Sequence, residues 1–489
     1  MQVDLSFCRR EFPALDLRVN GHMAAYFDGP GGTQVPARVI KAITRYYQEA
    51  NANCHGEFVT SRRTDGTIAA ARQTVAEMLG AASPDEIAFG PNMTTLNFAL
   101  SRALGRALTP GDEIVITDLD HEANRSPWQA LEERGVVVRS VRVNLPECTL
   151  DYDDLERAVN ARTRVVALGY ASNAVGTIND VKRAASLAHS VGAVCVVDAV
   201  HYALHGAIDV RDIGCDFLLC SAYKFFGPHV GILYGRRDAF ERLAAYRVRP
   251  QSSKPPHKIE TGTLNHEGIA GVIAAIEFIA SLGAALPRGA TAGFPPMDKG
   301  KSGEYTTAAA GGSQPPSAPH LDGSASSGWG RAGQLQAGGL GTPADAATSK
   351  AARDKAGDAE MAEIPARRPH ILAGFTAIEL YERPLFAMLM DGLASIPGVT
   401  VYGLPAAVGE RTPTVSFSVA GKHPADVARF LGDRGIFVWH GDFYATTLIE
   451  RLGRAESGGV VRVGIAPYNT TEEVSRLVEA LKECAGLFS

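Results

Sequence analysis

Two apolar runs, Ala193-Val-Cys-Val-Val-Asp-Ala-Val200 and Phe217-Leu-Leu-Cys-Ser-Ala-Tyr-Lys224, decide the fold. Each is of strand length, shows no alternation of apolar and polar residues, and ends on a side chain with chemistry to offer, Asp198 or Lys224. Continuous apolar runs of this kind read as strands buried on both faces, which is the condition of a parallel sheet covered by helices. Working outward, EIAFG (86–90) precedes the helical pattern TTLNFALSRALGRAL, EIVITDLD (113–120) precedes PWQALEERG, and RVVALGYAS (164–172) precedes DVKRAASLAHSVG. Residues 26–285 are therefore expected to form a large α/β domain with a mostly parallel sheet between helices. In such sheets ligands bind beyond the carboxyl ends of the strands. That rule selects Asn92 to Thr95, Asp118 to Asn124, Ser172 and Asn173, Asp198 to His201, and Ser221 to Lys224.

The rest of the 489 residues divides by composition. The chain is about three times a usual domain in length, and 45% hydrophobic with 21% charged residues is the composition of a protein that folds. From 286 to 366 Gly, Ala, Ser, Pro and Thr dominate with no sustained periodicity, so a disordered insert is expected there. After it come a long helical pattern (370–395), TVSFSVAG (414–421), VVRVGIAP (460–467) and two shorter helical patterns, which read as a smaller α+β domain over 367–489. Residues 1–25 are expected to pack with that smaller domain. Lys plus Arg number 48 against 53 Asp plus Glu, so no basic field points to nucleic acid or an anionic membrane, and a small molecule is the expected partner. Residues 268–287 are the most apolar stretch; Glu277 and interrupting glycines favour a buried core or interface helix over a membrane span. The seven cysteines are scattered, without a CxxC pair or zinc spacing, and predict reduced thiols and no metal site. The opening MQVDLSFCRREFPAL has no signal-peptide pattern, and a cytoplasmic location is the expectation.

Three features carry the chemistry. Lys224 follows an apolar strand, where poor solvation leaves its amine neutral and nucleophilic enough for a Schiff base. Asp198 closes its strand where a carboxylate can hold a protonated pyridine nitrogen. Asn92 to Thr95 open a helix after a strand, offering backbone N–H groups and hydroxyls to a phosphate. Singly, each has a plain reading as surface charge, helix cap or turn. Together, in this order, they are what a pyridoxal phosphate site requires.

The chain resembles the class V aminotransferase family of pyridoxal phosphate enzymes, and within it the cysteine desulfurase and selenocysteine lyase branch. The resemblance rests on Tyr26-Phe-Asp-Gly-Pro-Gly-Gly-Thr-Gln-Val-Pro36, Asp120-His-Glu-Ala-Asn124 with Pro127-Trp128, Ala171-Ser-Asn-Ala-Val-Gly-Thr177, Asp198 with His201, Ser221-Ala-Tyr-Lys224, Glu260-Thr-Gly-Thr263 and Val461-Arg-Val-Gly464. It implies a fold-type I enzyme with a seven-stranded, mostly parallel sheet. It also implies that Lys224 forms the internal aldimine and moves protons, that Asp198 keeps the ring nitrogen protonated, and that His121 stacks on the ring face. Asn173 then meets the ring hydroxyl or the substrate carboxylate, a turn being its other reading, and His201 stands where relatives carry glutamine. Ser221 and Tyr223, the latter in place of the usual histidine, bind phosphate with the N–H groups of Met93 and Thr94. Thr263 reaches the phosphate of the other subunit of a homodimer. Arg462 clamps the substrate carboxylate, a salt-bridged strand arginine being the alternative.

One departure bears on the reaction. Desulfurases of this family carry a cysteine that takes the sulfur as a persulfide; the matching segment here is Val438-Trp-His-Gly-Asp-Phe-Tyr-Ala445, with Tyr444 at about the cysteine position. No cysteine lies between Cys220 and Cys484. Tyrosine cannot accept the sulfur, so elimination of the C–S lyase type from a sulfur- or selenium-containing amino acid is favoured, with His440, Asp442 and Tyr444 lining the substrate entrance. Desulfuration or selenocysteine lysis, racemisation or epimerisation as in isopenicillin N epimerase relatives, and transamination are the alternatives. A silent cofactor-binding scaffold is the reading from another class.

Overall fold

Strands β6 (Val194–Asp198) and β7 (Phe217–Ser221) lie side by side and parallel at the centre of a seven-stranded sheet. The chain is described by a computed structural model covering residues 3–286, 367–405 and 411–486. The expected insert at 286–366 therefore lies, but for Leu286, outside the described residues. The sheet runs β2 (Ile87–Gly90), β8 (Gly231–Gly235), β7, β6, β5 (Thr163–Gly169), β3 (Glu113–Thr117), β4 (Val137–Val141). Only β8 runs against its neighbours, pairing antiparallel with both β7 and β2. The apolar runs lack alternation because both faces are covered. Cys195 and Val197 of β6 enter one core and Val196 the other, while Leu218 and Cys220 of β7 are separated in the same way from Phe217 and Leu219.

Helix α3 (Met93–Gly105) starts two residues after β2, where the Asn92 side chain accepts the Thr95 N–H and fixes the first turn. Helix α4 (Val181–Ser190) is capped likewise by Asp180. The helical pattern expected over PWQALEERG is shorter in fact: one α turn, Ser126–Gln129, then a 3-10 segment, Ala130–Arg134, closed by left-handed Gly135. Seven residues lie between Pro127 and that glycine, room for two turns at most. The apolar stretch near 268 forms α5 (His266–Leu282), the one helix among the described residues long and apolar enough to cross a membrane. Its Ile269, Val272, Ile276, Ile279 and Leu282 are buried in the core of the large sheet, against α1 (Ala37–Glu49), α2 (Val59–Leu79) and α6 (Arg368–Ala394).

A second, antiparallel sheet has the order β9 (Val399–Tyr402), β10 (Thr414–Val419), β13 (Val460–Gly464), β12 (Trp439–Gly441). Val415, Phe417, Val461 and Val463 pack there on Leu385, Leu389 and Leu393 of α6 and on Val474, Leu477 and Leu481 of α7 (Thr471–Cys484). The amino-terminal segment, expected to pack with the smaller domain, meets both regions: Val3, Leu5, Cys8, Phe12 and Leu15 join the core of the large sheet, while other residues reach the second sheet. Strand β1 (Ala25–Tyr26) pairs with β11 (Ile436–Phe437), and Arg9 forms a 2.8 Å ion pair with Glu473. Hydrogen bonds join the loops of the two sheets: Ser416 Oγ donates to Ala174 O (2.7 Å) and Thr412 N–H to Gly176 O (2.8 Å). This junction sits at the carboxyl ends of β5, β6 and β7.

Candidate active site

Those three strand ends open into one cavity, lined by Asn92, Met93 and Thr94 from the start of α3, His121 after β3, Asn173 after β5, Asp198 and His201 after β6, and Ser221, Tyr223 and Lys224 after β7. These ten residues, all within the stretches selected from sequence, thus meet around one space. Lys224 is half-buried, and its Nζ donates to the carbonyls of Pro30 and Gly31, the latter at 3.1 Å. Burial, reinforced by the charge of Arg462, pulls its amine down to about 7, against the opposing pull of Asp198 and Asp28. A large share of the amine is then neutral near neutral pH.

Asp198 accepts the Val200 N–H at 2.9 Å, and burial pushes its carboxyl up to about 6 despite that bond and the nearby lysine. A carboxylate so placed gains from a cationic N–H brought to it across the cavity. Ser221 Oγ accepts the Met93 N–H at 3.0 Å, which leaves the hydroxyl proton free to donate. The Met93 N–H is therefore engaged within the protein, and the hydroxyl takes over its donor role. Tyr223 stacks on His229 with centroids 4.9 Å apart, and Lys224 Nζ lies 5.0 Å from the Tyr223 ring centroid.

His121 Nδ1 accepts the Ala123 N–H at 2.9 Å, so a neutral ring carries its proton on Nε2. Burial, with Lys224 and Arg462 nearby, lowers this imidazole to about 4 and keeps it neutral. His201 is buried with Nε2 3.0 Å from Thr412 Oγ1 and 3.1 Å from Thr414 Oγ1, and burial holds it well below its ordinary value of 6.5. Asn173 donates from Nδ2 to Phe443 O (2.9 Å), while its buried Oδ1 has no hydrogen-bond partner among the described residues. The cavity thus holds an unmet acceptor, a carboxylate wanting a cation, a lysine amine and a hydroxyl at a helix start. These are the groups that pyridoxal phosphate, with its pyridine nitrogen, ring hydroxyl, aldehyde and phosphate, would satisfy.

Arg462 on β13 is buried, donates from Nη1 to Asn173 O (2.9 Å), and lies 4.3 Å over the Phe443 ring. Burial lowers its guanidinium to about 9, with Asp28 and Tyr223 resisting. Tyr444 is 70% exposed, and its ring centroid lies 5.4 Å from that of His121. Thr263 stands apart from these residues. It is exposed beside a separate cavity with Cys54 and His266, behind the buried Arg72–Glu260 pair (2.8 and 2.9 Å). Glu260 also accepts the Phe89 N–H, which ties that loop to β2.

Two acids carry no role assigned from sequence: Asp120, inside a stretch selected as a strand end, and Asp28, outside the selected stretches. Asp120 lines the cavity, accepts the Gly169 N–H at 2.7 Å, and is pushed up to about 7 by burial, Asp198 adding to the effect. Asp28 is raised to about 6 by burial although Arg462 and Lys224 lie near. Both stood in quoted motifs. Their signal was a carboxylate within a run otherwise destined for burial.

Comparison with known proteins agrees with the geometry. The aminotransferase class-V family model matches residues 25–288 and 370–477. A cysteine desulfurase of Pectobacterium carotovorum subsp. carotovorum is 28% identical over 99% of this chain and 98% of its own, and a probable cysteine desulfurase of Synechocystis sp. is 28% identical over 98% and 96%. Among solved structures, a cysteine desulfurase from Thermococcus onnurineus superposes with a TM-score of 0.74 at 24% identity, covering 100% of this chain and 99% of that one. One from Escherichia coli gives 0.72 at 24%, covering 99% of each chain. These likenesses show the shared fold. With the model spanning both sheets and the lysine, aspartate and helix start converging on one cavity, the chain belongs to the class V aminotransferase family and is a pyridoxal phosphate-dependent enzyme.

Proposed function

We propose that the enzyme is a C–S lyase: it acts on a sulfur- or selenium-containing amino acid by elimination, without passing sulfur to a protein thiol. The observation that carries this reading is Tyr444, whose ring stands beside His121 at the site, while no cysteine thiol lies there. Six of the seven cysteines are buried, and the seventh, Cys54, lines the separate cavity near Thr263, where burial raises its thiol. A thiolate relay has no candidate.

When bound, pyridoxal phosphate supplies an electron sink for the pair left as the Cα–H bond breaks. In this reading Asp198 holds a proton at the ring nitrogen, and the Ser221 hydroxyl, Tyr223 and the Thr94 N–H in the first turn of α3 bind the phosphate. Asn173 and His201 sit at the ring hydroxyl, and His121 covers the ring face. Arg462 takes the substrate carboxylate through a two-pronged contact. Lys224 removes the α-proton, and the Cβ–S electrons leave with sulfur. His121, neutral with its proton on Nε2, is placed to protonate the departing thiolate. Thr263 belongs, in this reading, to the phosphate site of a second copy across a homodimer interface, and the compartment is the cytosol.

Product analysis tests the proposal. Purified enzyme given cysteine, cystine, selenocysteine and cysteine sulfoxides is expected to release pyruvate and ammonium together with sulfide, a persulfide, selenide and a sulfenic acid respectively. Alanine accompanied by protein-bound sulfur would establish desulfuration and overturn it.

A further inference from the structure

The segment facing the site from the second sheet is built of aromatic residues held in strained backbone. Phe443 and Tyr444 both adopt left-handed conformations, φ +56° and +58°, which bulky side chains rarely occupy. Hydrogen bonds hold them there. Phe443 O accepts from Asn173 Nδ2 at 2.9 Å, Tyr444 O accepts the Glu122 N–H at 2.7 Å, and Asp442 Oδ1 accepts the Tyr444 N–H at 3.0 Å. The strained turn is therefore tied to the loops carrying His121 and Asn173, and it aims the Tyr444 ring at His121 while leaving that ring 70% exposed.

Trp439 completes the frame. It pairs with Arg462 across β12 and β13, so the two side chains project from the same face of the sheet. Its indole lies against Gly31, where a Cβ would come within 2.5 Å of Nε1, and the Gly31 carbonyl accepts the Lys224 amine. Trp439 is nonetheless 51% exposed. Two large exposed aromatic rings thus flank the reacting lysine and the carboxylate clamp, one on the Gly31 side and one on the His121 side. An unsubstituted cysteine has only a thiol to place between them. Two aromatic rings so placed fit a flat apolar group, which stacks on them in offset or edge-on geometry and covers surface otherwise left in water.

Resting on the lyase reading above, we infer that the preferred substrates are S-conjugates of cysteine whose sulfur carries an aryl or similarly flat apolar group, and that Trp439 and Tyr444 determine this preference. The overall change is RS–CH2–CH(NH3+)–COO− plus water giving RSH, pyruvate and ammonium. The Cβ–S bond breaks with its electron pair on sulfur, the thiolate takes a proton, and water supplies the pyruvate oxygen. No oxidant or reductant is consumed.

The test uses the holoenzyme and three substrates, S-benzylcysteine, S-methylcysteine and cysteine, with pyruvate release as the readout. The expected kcat/KM for S-benzylcysteine exceeds that for S-methylcysteine at least about tenfold, the scale on which an apolar pocket discriminates. Trp439→Ala and Tyr444→Ala should each reduce that ratio several-fold, mainly through KM, while Trp439→Phe and Tyr444→Phe retain most of it. Binding is read separately from turnover with α-methyl-S-benzylcysteine, which has no α-proton to lose, by the change it causes in the visible absorption of the enzyme. Its dissociation constant should rise several-fold in the alanine variants. Equal kcat/KM for the benzyl and methyl conjugates, or a ratio and dissociation constant unmoved by either alanine variant, overturns this inference while leaving the lyase reading standing. Alanine and protein-bound sulfur from cysteine, with no pyruvate from any conjugate, overturns both.

Discussion

His201 shows how a single side chain ties cofactor site to stability. Its ring is buried between β6 and the threonines of β10 and the residues before it, and burial keeps it neutral well below pH 6.5, where a histidine of the unfolded chain becomes charged. The folded state therefore binds fewer protons than the unfolded one, and stability present above 6.5 is lost as pH falls below it, by up to about 1.4 kcal/mol per pH unit. Replacing the imidazole by an amide, His201→Gln, removes this dependence. The thermal midpoint of the wild type minus that of the variant is expected to fall as pH goes from 8 to 5, and a difference that stays constant would show that His201 takes up its proton in the fold as readily as in the unfolded chain. At this scale much of the site was legible. Lys224 and Asp198 announce themselves because a charged residue closing an apolar run must be capped, paired or used. Asp28 was not legible as a site residue, and Asp120, though in a selected stretch, had no legible role, because both depend on which loops the two sheets bring together. Nor was the use of the Met93 N–H by Ser221, since it joins residues 128 positions apart.

At the scale of elements, the parallel strands were the most readable part of the chain, because burial on both faces forces an unbroken apolar run. The antiparallel return of β8 was not readable, since Gly231–Gly235 is as apolar as its parallel neighbours. The reduced helix after Pro127 follows from a boundary that periodicity does not register. The turn between β5 and α4 carries its own test. Gly176 has φ +79°, and a Cβ there would meet Thr414 O at 2.7 Å and Thr412 O at 2.8 Å, both backbone atoms at the junction of the sheets. Gly192 has a similar φ of +74° with nothing within 4 Å. Gly192→Ala should cost about 1 kcal/mol from backbone strain alone, and Gly176→Ala distinctly more, because the junction must move as well. Chemical denaturation of the two variants measures the difference. Equal losses would mean that the two sheets do not meet as closely at Gly176 as described.

At the scale of the whole molecule, the ends of the described chain on either side of 287–366 come close together. A Cβ on Gly283 would lie 2.8 Å from the Ala373 Cβ and 3.0 Å from the Gly374 nitrogen. Residues 287–366 are thus not needed to span a distance. Replacing 288–366 with a short Gly/Ser linker is expected to leave the visible absorption of the bound cofactor and the thermal midpoint within a few degrees of the wild type; loss of either would assign that tract a part in the fold. Both sheets remain necessary, since Lys224 comes from one and Arg462 from the other. The central claim is that this pairing eliminates sulfur from the substrate without storing it on the protein. Its most direct measurement is the intact mass of the holoenzyme, quenched during turnover of a sulfur amino acid and treated with an alkylating agent. The mass predicted is that of the resting enzyme treated in the same way, with pyruvate accumulating in solution. A species heavier by one sulfur atom, located on a cysteine-containing peptide and appearing together with alanine, would contradict the account.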